Sequence, residues 1–124
     1  MDWQELEIFK GIDLNDSFIL NWKHGKDFLT FEIEASIWPE SQFYIEPKLN
    51  EYTCYRKATL SFINIESLIG LKLLVESPSF IDADGSVDYG NIDSLQLTSD
   101  GFSLQGDFGS VHIKGGAIEF EVHI

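Results

Sequence analysis

"FILNWKHGKDFLTFEIEASI", residues 18–37, is where the period of this chain declares itself. Phe18, Leu20 and Trp22 alternate with Ile19, Asn21 and Lys23, and Leu29, Phe31, Ile33, Ala35 and Ile37 alternate with Thr30, Glu32, Glu34 and Ser36. A period of two places each set on one face of a pleated strand. Gly25-Lys26 between the runs suits a two-residue type II′ hairpin turn. That register sets Trp22 opposite Leu29, Leu20 opposite Phe31 and Phe18 opposite Ile33. The apolar faces then coincide, and a one-residue slip would bury Glu32.

The same alternation returns downstream. Cys54, Ala58, Leu60 and Phe62 share a strand face that Arg56 interrupts, which places Arg56 at the rim or marks a bulge. "IESLIGLKLLVES", residues 65–77, reads equally as a buried strand or as a helical turn followed by a strand. Ile92, Leu95 and Leu97 lead to Asp100-Gly101, a type I′ hairpin signal that pairs Leu97 with Leu104 and Leu95 with Gly106. The phase changes at Gly109. Gly115-Gly116 then reads as a hairpin turn pairing Ile113 with Ile118 and Val111 with Phe120. Before the strands, "DWQELEIF" predicts one short helix, with Asp2 as N-cap, Glu5 completing a capping box and Trp3, Leu6 and Phe9 or Ile8 as its apolar stripe.

Two-faced strands joined by tight turns define a mainly β chain, an antiparallel β-sandwich or partly open barrel built from hairpins with one short N-terminal helix. With no linker or repeat in its 124 residues, the chain reads as a single domain over 1–124. Ten Phe, four Tyr and three Trp fit that β reading.

Charge narrows the function classes. The net charge is −13, which repels nucleic-acid backbones and anionic membranes and suits a basic protein partner. No Lys or Arg falls between Lys72 and Lys114, while Glu76, Asp82, Asp84, Asp88, Asp93, Asp100 and Asp107 do. "MDWQELEIFKGID" lacks the basic and apolar regions of a signal peptide, and no apolar run has the length of a membrane span. A cytoplasmic location is expected.

"SFIDADGSVDYGNID", residues 79–93, resembles part of a calcium loop. An EF-hand with Gly85 at its sixth position puts Phe80 at the first and Asn91 at the last, where carboxylates are required, so that reading fails. A looser site from Asp82, Asp84 and Asp88 stands against the ordinary use of Asp and Gly in turns, and the turn is favoured. No cofactor or metal site is expected.

Catalytic constellations are equally thin. Cys54 is the single cysteine; a nucleophile needs a base and a cationic setting, and Arg56 alone supplies neither in full, so Cys54 reads as a small core hydrophobe. His112 is expected to face Glu119 across a hairpin as a surface pair, and His24 sits at a hairpin tip. Glu32 with Glu34 and Glu119 with Glu121 have the spacing of paired carboxylates but read as the wet face of a sheet. The chain is expected not to be an enzyme; the weakest alternative joins Arg56, Glu51 and a histidine in a cleft.

The strongest binding candidate is the irregular excursion "SIWPESQFYIEPKLNEYTCYRK", broken by Pro39 and Pro47. Trp38, Tyr44, Tyr52, Tyr55 and Arg56 are the residue types that anchor interfaces. The competing reading, and the preferred one, is a flap whose aromatics close the core. A small-molecule or carbohydrate module using residues 38–57 is the alternative to protein binding.

Trp38-Pro39, Tyr44, Pro47, Glu51 and Cys54-Tyr55-Arg56, followed by an apolar strand and later by "GDFGSVHIKGGAIEF", resemble small single-domain β proteins of bacteria with no assigned activity. No catalytic residue follows from that likeness. "GIDLNDSFILNWKHGKDFLTFEI", residues 11–33, is similar to bacterial immunity proteins. That resemblance implies a protein that binds and neutralises a cognate toxin, here a basic one.

Overall fold

In the computed structural model the described residues are 1–47, 49, 54–74, 79–81, 85 and 87–123. They form ten strands: β1 Ile12–His24, β2 Phe28–Ile37, β3 Cys54–Ile63, β4 Ser67–Leu71, β5 Phe80–Ile81, β6 Val87–Asp88, β7 Ile92–Leu97, β8 Gly101–Gly106, β9 Gly109–Lys114 and β10 Ala117–Val122. One antiparallel sheet has the order β1-β2-β3-β10 and a second the order β4-β9-β8-β7, with β5 and β6 as a small separate hairpin. The sheets face each other through one core and do not close into a barrel. Phe31 meets Phe108 at 5.0 Å and Phe62 meets Phe102 at 5.1 Å across the interface. Each such buried ring contributes on the order of 1.5–3 kcal/mol.

The alternating faces fall as the residue pattern requires. Leu29, Phe31, Ile33, Ala35 and Ile37 of β2 and Cys54, Ala58, Leu60 and Phe62 of β3 are all buried. The β2–β3 ladder runs without a break, so the interruption at Arg56, opposite Ala35, is a rim position rather than a bulge.

The β1–β2 register differs from the two-residue turn expected. His24 pairs with Leu29 and Trp22 with Phe31, a slip of two residues that leaves the faces unchanged. Gly25 donates its N–H to the Phe28 carbonyl, and the lengthened tip lets the Asp27 carbonyl accept the Ile65 N–H. A bulge between Ile19 and Asn21 then reverses the phase, so Ile19 enters the core opposite Ile33 while Phe18 and Leu20 are half-buried. A second irregularity, between Asp13 and Phe18, is held by buried Ser17, whose hydroxyl donates to the Asp13 carbonyl and accepts the Ser36 N–H.

The expected N-terminal helix is two 3₁₀ turns, Trp3–Glu5 and Glu7–Phe9, separated by an extended Leu6. Trp3 and Phe9 are each 3% exposed and pack edge to face at 5.9 Å. Six positions apart on an α-helix they would point about 120° from each other, so the break at Leu6 is what lets both rings enter the core. The Asp2 N–H still donates to the Glu5 carboxylate, as in the expected capping box.

Two further turns depart from expectation. Leu97 pairs with Phe102 and Leu95 with Leu104, so the β7–β8 turn lies at Ser99-Asp100 and Gly101 belongs to β8. Gly101 is needed for close approach: a Cβ there would stand 2.0 Å from the Ile113 carbonyl oxygen. Gly115-Gly116 is not a hairpin turn. β9 stays in the second sheet while β10 pairs with β3 in the first. Both glycines take positive φ, and beside them Asn64 does too at the β3–β4 junction. The β3/β10 ladder therefore bends through this corner and continues as β4/β9. The expected pairing of His112 with Glu119 is lost with it: His112 lies opposite Ser103 and Ile69, and Glu119 opposite Ser61.

The sheet edges are treated unequally. At β7, Met1 exchanges backbone hydrogen bonds with Leu97, and Asp2 bridges Gln96. At β1, Tyr89 and Gly90 hydrogen-bond to Ile19, and Asn91 bridges Phe18. β4 is kinked by a register break between Ile69 and Leu71. β10 keeps an unbroken register with β3 from Ala117 to Val122 and, among the described residues, has no strand on its other side. No helix of the described residues is long and apolar enough to cross a membrane.

Candidate functional site

The N-terminal segment runs from the β7 edge to the β10 edge, where Phe9 packs on Phe120 at 5.1 Å. This stacks the Glu7–Phe9 turn beside the last residues of β10. The chain after β2 returns over the same place. Trp38 donates its N–H to the Gly11 carbonyl, Ser41 to the Trp38 carbonyl and Tyr44 to the Ser41 carbonyl, while the Phe43 N–H reaches the Ser41 hydroxyl. Gly11 has φ +75°, and a Cβ on it would meet Ser41 at 2.7 Å, so only glycine lets the two segments touch here. From below, Arg56 Nε donates to the Phe43 carbonyl at 2.7 Å and ties the excursion to β3.

Between these elements lies a groove of about 540 Å³, a size that suits a side chain or a small ligand. Ile8, Ile12, Phe43, Phe120 and Val122 give it an apolar lining, and Glu7, Glu40 and Glu121 bring carboxylates against Lys10 as the one cation among the described lining residues. Its field is therefore negative, in keeping with the chain's net charge of −13.

The aromatic candidates do not converge on one surface. Trp38 is 41% exposed on the excursion. Tyr44 is half-buried against the core, and partial desolvation there pushes its pKa above the ordinary tyrosine value, with Glu46 and Cys54 adding to the shift. Tyr55 lies on the outer face of β3, its ring 5.6 Å from that of Phe18. Arg56 points to the other side of the strand and serves as the tie to Phe43. Tyr52 and Glu51 lie outside the described residues.

A smaller cleft of about 300 Å³ gathers Phe18, Phe80, Asp88, Gly90, Asn91, Asp93 and Asp107. Asp88 is buried and its Oδ1 accepts the Gly90 N–H at 2.9 Å, which is the local turn role expected of such an aspartate. Asp82 and Asp84 lie outside the described residues, and among the described ones no group of three or more His, Cys, Asp or Glu is placed to hold a metal.

Of the other candidates, Cys54 is 2% exposed on the core face at the end of β3. On the outer face of the first sheet, the Thr59 hydroxyl lies 3.2 Å from Glu32 Oε2 and 2.7 Å from His123 Nε2. These groups sit on an open strand surface, and neither described cleft includes them.

The groove joins three distant segments, and pattern reading identifies only one of them, the excursion containing Glu40 and Phe43. Glu7, Lys10 and the β10 residues carry no local signal, because their proximity depends on β10 crossing to the first sheet. Compared with protein-family models, curated proteins and solved structures, the chain matches none of them.

Proposed function

We propose that this chain is a non-enzymatic protein-binding domain that receives a basic partner at the groove beside β10, acting in the cytoplasm. The observation that carries the reading is the combination of an apolar lining from Phe43, Phe120 and Val122 with carboxylates from Glu7, Glu40 and Glu121. An apolar centre holds a partner after water is expelled, and a charged surround speeds encounter and selects the sign of the partner. A narrower form of the same proposal is an immunity-like inhibitor of a basic toxin, for which the charge of −13 is complementary. The same acidity disfavours nucleic acid.

The test is capture on immobilised protein at low salt, compared with a Glu7→Gln/Glu40→Gln/Glu121→Gln variant of the same fold. Basic proteins retained by the native chain, released by raised salt and lost with the variant support the reading. Equal capture by both proteins, or capture without preference for basic proteins, overturns it. The half-exposed Trp38 favours a second reading, a small-molecule or carbohydrate module; quenching of Trp38 fluorescence by oligosaccharides, abolished by Trp38→Ala, is the result that reading requires.

A further inference from the structure

We infer that the groove's partner is taken as a fifth strand: an extended segment alternating apolar and basic residues, added antiparallel to the open edge of β10. This rests on the protein-binding reading and specifies how the partner is held.

Register identifies the open backbone groups. The His123 N–H donates to the Lys57 carbonyl, so the odd-numbered residues of β10 face β3 with their N–H and C=O groups. Opposed residues in an antiparallel ladder alternate between hydrogen-bonded and non-hydrogen-bonded pairs. Ile118, Phe120 and Val122 therefore direct theirs to the other side, where no described strand lies. Phe120 and Val122 also line the groove, so the open edge and the groove form one surface.

Sheet edges are ordinarily blunted by a bulge, a proline, a lysine or a covering segment, because open edges pair with other chains. The β7 and β1 edges are covered and β4 is kinked. "AIEFEV" of β10 has no proline, no lysine and no bulge, and the Glu7–Phe9 turn that packs on Phe120 makes no backbone hydrogen bond to β10 among the described residues. Its exposed face carries Glu119 and Glu121, which lie opposite Ser61 and Thr59. Two copies meeting edge to edge would bring like charges together, whereas a strand with lysine or arginine there would place opposite charges across the ladder. The inward side chains of the same strand would fall beside Phe120 and Val122 over the groove, so the occupant alternates, basic outward and apolar inward. Strand addition of this kind draws affinity from the backbone and selectivity from alternate side chains.

The probe is a blocked Lys-Val octapeptide, acetyl-(Lys-Val)₄-amide, with a second peptide N-methylated at every valine. Amide exchange is followed by NMR on the native chain. With saturating probe, the Ile118, Phe120 and Val122 amides slow at least tenfold, those of Glu119 and Glu121 stay as they were, and the N-methylated peptide binds at least tenfold more weakly. Suppose instead that the probe shifts the resonances around Glu7 and Glu121, the three amides keep their free rates and both peptides bind alike. Strand addition is then wrong, while protein binding at the groove stands. Absence of binding by the probe also overturns strand addition, and the capture experiment decides the broader reading separately.

Discussion

Replacing Arg56 by methionine separates a structural tie from a binding anchor. The native side chain donates from Nε to the Phe43 carbonyl at 2.7 Å in a partly buried setting. Hydrogen bonds to charged groups contribute about 1.5–3 kcal/mol. Water can reach the part-buried carbonyl once the guanidinium is gone, so the expected loss lies around the lower end of that range, about 1–2 kcal/mol. Methionine keeps the apolar stem and removes the donor. For 124 residues, an unfolding entropy of about 2.1 cal/mol/K per residue gives roughly 0.26 kcal/mol/K, so the melting temperature should fall by about 4–8 °C. Circular dichroism melts supply the measurement, with Arg56→Lys as control, since lysine restores charge without a planar donor at that position. A fall of less than about 1 °C would refute the tie, and full rescue by lysine would show that charge matters and the directed bond does not.

Phe108 touches Phe31 at 5.0 Å and Trp22 at 6.2 Å, and Phe108→Ala should cost about 3–5 kcal/mol in urea unfolding; a loss below 1 kcal/mol would deny the inter-sheet contact. Gly101→Ala places a carbon against the Ile113 carbonyl oxygen and should destabilise by about 1–3 kcal/mol, whereas a Gly101 that only served a turn would tolerate alanine at less cost. Tyr44 has its pKa raised by burial, so the folded state holds the neutral phenol more firmly than the unfolded chain. Stability from this group is complete below the unfolded value of about 10 and declines as pH rises through the raised value; Tyr44→Phe should flatten that alkaline decline in pH-dependent melts, and an unchanged slope would count against the shift.

The core faces of β2 and β3 are legible in the sequence because every second side chain must be apolar to pack, and Leu29 to Ile37 obey that rule without exception. The register at Trp22 is not legible in the same way. A slip of two residues keeps every side chain on its face, so agreement of faces cannot detect it. The Leu20 bulge adds an unpaired residue and sets Ile19 opposite Ile33 in the core, a change of phase that no local turn residue announces. Gly115-Gly116 ends one strand in either reading, with a reversal of the chain in a hairpin and a bend of a continuing ladder in a corner. The same local backbone serves a hairpin or a corner, and the choice is made by whether Ile118 and Phe120 pack better beside Ile113 and Val111 or beside Phe62 and Leu60. That comparison involves distant strands, and the groove inherits it. The aromatic cluster misleads for a related reason: Tyr55 and Arg56 are adjacent in sequence and so project from opposite faces of one strand.

The corner at Asn64 and Gly115-Gly116 also has a consequence in time. β3 is flanked by β2 on one side and β10 on the other, and β10 is the last strand of the described chain to be synthesised. During translation at ~5–20 residues per second, β3 waits on the order of several seconds between emerging beside β2 and meeting β10. Throughout that interval Leu60 and Phe62 belong to an uncovered strand, with the second sheet that buries them still being made. A ribosome paused between the codons for Ile63 and Ala117 would hold the chain at its most aggregation-prone, and chaperone dependence should be greatest there.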